Sequence, residues 1–200
     1  MKRWLWTPLL LTFLAIALLA CKKSESNGSG PSPVTVASGP ISVTGALDIS
    51  IQPNGSASVS GVALEFTQVG TDLEVKKGGA RIAKFTKEAD RIKLRAADGQ
   101  TVTHKLKFKP DGKLELEDGG EARLYIAKPK DYGYKVEDAG GSPVVSVKQK
   151  DSRIEAKKES GEEVFRVEGL SPKAASVLGF EKLDPELRAA LAFFVQKSGL

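Results

Sequence analysis

The chain has one cysteine, Cys21, and one histidine, His104, in 200 residues. A lone cysteine leaves no intrachain disulfide, so the folded part must hold by core burial alone. A length of about 140 residues suffices for that. One histidine falls short of the several His and Cys ligands a zinc site wants, and a serine nucleophile would have only His104 as its imidazole base. The sequence contains no G-x-S-x-G elbow, no H-E-x-x-H helix and no G-x-x-x-x-G-K-[ST] loop. Asp111-Gly112 and Asp118-Gly119 lack the alternating oxygen ligands of a calcium loop. These absences leave no catalytic constellation, no metal ligand set and no cofactor motif, and the expectation is a non-enzymatic protein. No stretch after residue 20 is long and apolar enough to span a bilayer.

The beginning of the chain is different. Lys2 and Arg3 precede an almost wholly apolar run from Leu9 to Ala20, interrupted only by Thr12. A positive start, an apolar centre and a small residue before the end form an export signal. From Trp4 to Ala20 the run is 17 residues, at the lower edge of what crosses a bilayer, so a retained helix is the competing reading. The ending Leu18-Leu19-Ala20-Cys21 resembles the lipobox of bacterial lipoproteins. That resemblance implies cleavage after residue 20, with Cys21 as the mature N-terminus carrying fatty acyl chains such as palmitate. Two or more chains hold a protein stably on a membrane, each buried methylene contributing about 0.8 kcal/mol. In enteric-type bacteria an aspartate after the lipidated cysteine favours the inner membrane. Lys22 stands there instead, so the resemblance implies the outer membrane where one exists. Loss of Lys2 and Arg3 lowers the formal charge from +5 to +3. So small a surplus on an exported chain argues against a nucleic-acid partner.

Residues 21–40 come next, as the lipidated cysteine and a tether rich in Ser, Gly, Pro and Asn. The 19 residues after Cys21 would span about 25 Å on average as a flexible coil. Residues 41–61 read either as one or two weak strands or as linker, because Gly, Ser and Asn dilute short alternations such as Ile49 and Ile51. From Val62 onward apolar and charged residues alternate, and strands are predicted at 62–68, 72–76 and 81–87.

Residues 91–171 are dominated by a repeat of about 20 residues. Asp90, Asp111, Asp131 and Asp151 divide four units, 91–111, 112–131, 132–151 and 152–171. Each unit has an alternating strand, a Gly-rich turn and a second alternating strand. The turns include Asp98-Gly99, Asp118-Gly119-Gly120 and Asp138-Ala139-Gly140-Gly141, and such sequences suit the positive φ angles of hairpin turns. Each unit is therefore a β-hairpin, and the whole chain should carry eleven or twelve strands.

The C-terminus turns helical. Ser171-Pro172 starts a short helix ending near Gly179. Asp184-Pro185-Glu186 starts another, 185–198, which Gly199 stops. Seven consecutive apolar residues, Ala189 to Val195, cover every side of two turns. Such a helix must be buried all round. The expected fold is mainly β: an antiparallel barrel of repeated hairpins over 62–200, filled by the C-terminal helix. A β-sandwich with a helix packed on one face is the alternative. A barrel of hairpins with an apolar C-terminal helix through its middle resembles the twelve-stranded tubby C-terminal-like superfamily, which includes the LURP-one-related proteins and the phospholipid scramblases. The likeness rests on the units of 91–171 and on the terminal helix. It implies an association with membrane lipids or with regulation and carries over no site residue.

Candidate functional residues are few. His104 shares strand parity with Leu106 and Phe108, yet the repeat aligns it with Arg123, Pro143 and Glu163, which places it at a solvated strand end. Carboxylate pairs such as Glu117-Asp118 and Glu162-Glu163 sit beside turns, where solvated turn residues are the rule. In the first unit Arg91, Lys93 and Arg95 alternate along one strand, and Lys105, Lys107 and Lys109 along the next. Paired as a hairpin, they put six cations on one face, a candidate patch for an anionic lipid or envelope polymer. The competing expectation is that Glu115 and Glu117 on the following strand pair with the lysines and neutralise it. The sequence thus points to a lipid-anchored envelope protein that binds or builds, with a lipid-handling module as the alternative. Beyond the membrane itself it names no protein partner.

Overall fold

The computed structural model describes residues 39–199. The expected signal at 1–20, Cys21, and the tether up to residue 38 lie outside the described residues. Fourteen strands make up the wall: β1 (Ile41–Gly45), β2 (Ile49–Ile51), β3 (Ser56–Val59), β4 (Val62–Val69), β5 (Asp72–Lys77), β6 (Ala80–Lys87), β7 (Arg91–Arg95), β8 (Val102–Phe108), β9 (Leu114–Asp118), β10 (Arg123–Lys130), β11 (Gly133–Asp138), β12 (Pro143–Lys150), β13 (Arg153–Lys157) and β14 (Glu163–Glu168). Every strand pairs antiparallel with its neighbours in the chain, and β1 pairs with β14 to close a barrel. The expected barrel stands, and the sandwich alternative does not.

The count exceeds the eleven or twelve strands expected, and the twelve of the tubby-like resemblance. The difference lies in residues 41–61, which form β1, β2 and β3. Their inward residues Ile41, Val43, Ile49, Ile51, Ala57 and Val59 are all buried, while Ser42, Ser50 and Ser58 between them are exposed. The barrel domain therefore begins at Ile41 rather than Val62. The four hairpin units appear as β7–β8, β9–β10, β11–β12 and β13–β14. Their turn aspartates act alike: Asp118 Oδ1 accepts from the N–H groups of Gly120 and Ala122, and Asp138 Oδ1 from those of Gly140 and Ser142, each at 2.9 Å. At the closing seam Gly45 adopts φ +122°, and a Cβ there would lie 2.5 Å from the carbonyl oxygen of Val164. Only glycine fits so close an approach of two backbones.

In an up-and-down barrel all odd strands start at the same end. We call the end where β1 begins the lower end. After β14 descends, α1 (Pro172–Ser176) and a 3-10 turn (Val177–Gly179) lead upward, and α2 (Pro185–Ser198) returns. At the upper end the N–H of Lys182 donates to Tyr125 Oη at 3.0 Å, and Lys77 meets Glu186 at 3.4 Å. At the lower end Lys87 Nζ donates to the Ser198 carbonyl at 2.9 Å, and the N–H of Ser171 to Gln196 Oε1 at 2.8 Å. The helices thus form a hairpin along the barrel interior. Ser171 Oγ caps α1 by accepting from the N–H of Ala174, and Gly199 ends α2 at φ +61°. Asp184 makes no side-chain cap bond, and Pro185 at the first position with Glu186 in the first turn marks the start of α2.

The core is one cluster built from inward strand residues and both helices. Residues Ala189 to Gln196 are all buried, as the unbroken apolar run requires. Phe193 meets Phe66 of β4 at 5.5 Å between ring centroids, and Phe194 meets Phe85 of β6 at 6.3 Å. The outward residues between buried ones include Glu74, Lys84, Lys93, Glu115, Glu155 and Arg166. A membrane-spanning barrel shows the reverse, an apolar belt outside and polar groups within. No hydrocarbon layer can surround this wall of charge. Among the described residues no helix is long and apolar enough to cross a membrane.

Candidate functional site

The basic hairpin is built as the alternation demands. In register, Arg91 faces Lys107 and Lys93 faces Lys105 across β7 and β8. Like charges directly opposite destabilise a strand pair, so each needs a counter-charge. Most have one. Lys107 Nζ lies 2.6 Å from Glu117, Lys109 Nζ 2.9 Å from Glu115, and Lys105 Nζ 2.5 Å from Glu121. Lys93 pairs with Glu88, while Arg91 Nε lies 2.9 Å from Asp90 and 3.7 Å from Glu88. Arg95 donates instead to the carbonyl of Gln100 at 2.6 Å. The hydrogen bond to Glu117 raises the proton affinity of Lys107, and that to Asp90 does the same for Arg91. Six cations do share a face there, but carboxylates from β9, from the β9–β10 turn and from the β6–β7 turn meet five of them.

A different stretch of wall concentrates positive charge. Glu155 on β13 is buried, yet on the outward face. Lys150 of β12 lies 3.0 Å from its carboxylate, Arg153 3.1 Å and Lys157 3.2 Å. The cover over Glu155 comes from these cationic neighbours rather than from the core, which Ile154 and Ala156 face. The ammonium groups of Lys150 and Lys157 beside Oε2, opposed by desolvation and aided by the hydrogen bond that Arg153 donates to Oε1, hold the carboxyl at about 2. Glu155 also stands in register between Lys148 of β12 and Arg166 of β14. Arg166 Nε bonds Glu163 at 2.8 Å, and Lys148 lies 5.0 Å from the centre of the Tyr132 ring. One carboxylate here meets three cations.

At the upper end a recess of ≈270 Å³ opens between the barrel wall and the helix connection. Leu47, Val145, Val164, Phe165 and Leu178 give it apolar sides, and Arg188 and Glu181 also line it. Arg188 Nη1 donates to the carbonyl of Leu178 at 3.1 Å, and burial lowers the proton affinity of the guanidinium. His104 stands near the same end. It pairs in register with Leu94 and Asp118, so it lies on the inner face, half-buried, rather than at a solvated strand end. Its repeat equivalents Arg123, Pro143 and Glu163 are exposed, so the repeat does not extend to side-chain burial there. Burial lowers its proton affinity, and the charges of Asp118 and Asp184 oppose that shift.

Among the described residues no group of His, Cys, Asp and Glu could hold a metal ion. Of the residues singled out in the sequence, the six cations come together on one hairpin face, His104 stands apart from them, and Cys21 lies outside the described residues. The cluster around Glu155 is not evident from the sequence, because its cations come from two strands, β12 and β13, rather than from one alternating run. The parity of Lys148, Lys150, Arg153 and Lys157 about the Asp151 turn is the signal that could have found it. A scan against protein-family models and searches of curated proteins and of solved structures find no match to this chain.

Proposed function

We propose that this chain is a lipid-anchored protein of the bacterial envelope, a non-catalytic binding or structural module that works through the outer wall of its barrel. The observation that carries the working-surface part is the filled interior. Both helices run inside the barrel with their buried faces against strand residues, so the lumen is occupied by the chain's own side chains. A module that enclosed an acyl chain would need that space, and this counts against the lipid-handling alternative drawn from the tubby-like resemblance. The charged wall supports exposure to water on all sides. The non-catalytic reading draws support from the carboxylates of the wall. Glu115, Glu117 and Glu155 are each tied to lysine or arginine, and Glu155 stays ionised far below neutral pH. A carboxylate so held cannot serve as a general acid.

The anchor rests on Leu18-Leu19-Ala20-Cys21, and Lys22 directs it to the outer membrane of an organism that has one. Metabolic labelling with radioactive palmitate tests it. The parent chain incorporates label into the membrane fraction, and Cys21→Ser abolishes incorporation. Equal labelling of both would overturn the anchor.

A further inference from the structure

We infer that the outward β12–β13 wall around Glu155, with Lys150 and Arg153 at its lower end and Lys157 above them, is the face the barrel turns toward an anionic membrane surface. The inference rests on the anchoring reading above and adds the orientation and the contact. Three observations converge. Three cations meet the single carboxylate of Glu155 within 3.2 Å, two more than the carboxylates in direct contact with them, and Asp151 of the intervening turn is the other acid at that corner. Because Glu155 stays ionised, that excess is not raised further by protonation near neutral pH. The second observation is position. The turn between β12 and β13 lies at the lower end, where β1 begins. Val43 of β1, Val167 of β14, Ile154 of β13 and Gln149 of β12 form one rung of cross-strand partners. With strands about 4.8 Å apart, Arg153 beside that rung is about 10 Å from the strand on which the chain enters the barrel. The described chain enters the barrel at this end, at Ile41, so the segment that follows Cys21 in sequence joins the barrel here.

The third observation is contrast. On β7 and β8 five of six cations have carboxylate partners from neighbouring turns and strands, so an approaching anion must compete with them. Around Glu155 the cations outnumber the carboxylate in contact with them. Phospholipid headgroups carrying net negative charge supply the missing counter-charge. Each lysine or arginine near such a surface raises its occupancy by about fivefold at physiological salt. The contact is screened within a Debye length, so it should weaken with added salt.

Lysine reactivity in the full chain tests this. The protein is reconstituted into vesicles of phosphatidylcholine alone or of phosphatidylcholine with phosphatidylglycerol, and the acylation rate of each lysine is read by peptide mass spectrometry. The expected result is severalfold slower labelling of Lys150 and Lys157 on the phosphatidylglycerol vesicles only, reversed by high salt. In the exposed-site variant Arg153→Glu the protection weakens at both lysines. Equal rates on the two vesicles, protection falling instead on Lys105 and Lys107, or protection by a soluble acidic polypeptide in place of the vesicles would overturn it. The salt reversal is read on the parent chain, so a variant that misfolds does not decide the outcome. Palmitate labelling reports separately on Cys21. Loss of the anchor with the footprint retained, or the reverse, shows which of the two readings fails.

Discussion

Truncating Phe194 should cost the barrel a large part of its stability. The side chain is 1 % exposed, faces Phe85 of β6, and belongs to a helix whose every side is covered. Phe194→Ala removes the ring from a site surrounded by fixed strands, so the space cannot collapse. Buried Phe→Ala changes cost about 3–5 kcal/mol. Domains of this size have about 5–15 kcal/mol in total. A melting temperature shifts by about 2–4 °C per kcal/mol here, so the midpoint should fall by about 6–20 °C. Thermal melts followed by circular dichroism read the shift. Val69→Ala is the control: Val69 is 61 % exposed at the end of β4, and its truncation should change stability by less than about 0.5 kcal/mol. Phe193→Asp goes further, because it places an unpaired charge in the same interior, and should prevent folding. A Phe194→Ala protein that melts with the parent would show that α2 is not inside the barrel.

Two further single-residue changes probe the seam and the charged wall. Gly45→Ala should destabilise the seam between β1 and β14 more than an ordinary surface substitution, since its Cβ meets the Val164 carbonyl. A melt that matches the parent would contradict the close approach. Glu155, ordinarily near 4.5 and held at about 2 here, contributes stability that is present above its unfolded value and lost as pH falls toward 2. The difference in melting temperature between parent and Glu155→Gln should therefore shrink through that acid window. A difference that stays constant with pH would refute the pairing.

Much of the architecture was legible in the residues. The alternation of 62–168 with its Asp-Gly turns encodes hairpins locally, since the turn chemistry and the period agree. The seven apolar residues of α2 specify burial on every side, and they are buried. The three strands before Val62 were harder to read. They are five, three and four residues long, and their outward positions are serine and threonine rather than charges, so the alternation is weak. Charge pairing was half legible. The pairing of Lys107 with Glu117 follows from the next strand in sequence, but Glu88 and Glu121 reach Lys93 and Lys105 from turns, which depends on side-chain reach. The environment of His104 depends on where the helix hairpin meets the wall, 80 residues further along the chain at Asp184.

Native mass spectrometry of the protein released from membranes tests the anchor and the filled barrel in one measurement. The expected species is a chain that begins at acylated Cys21 and carries no additional bound lipid, because the helices fill the barrel. A chain that begins at Met1, or a lipid retained without a covalent link, would contradict it.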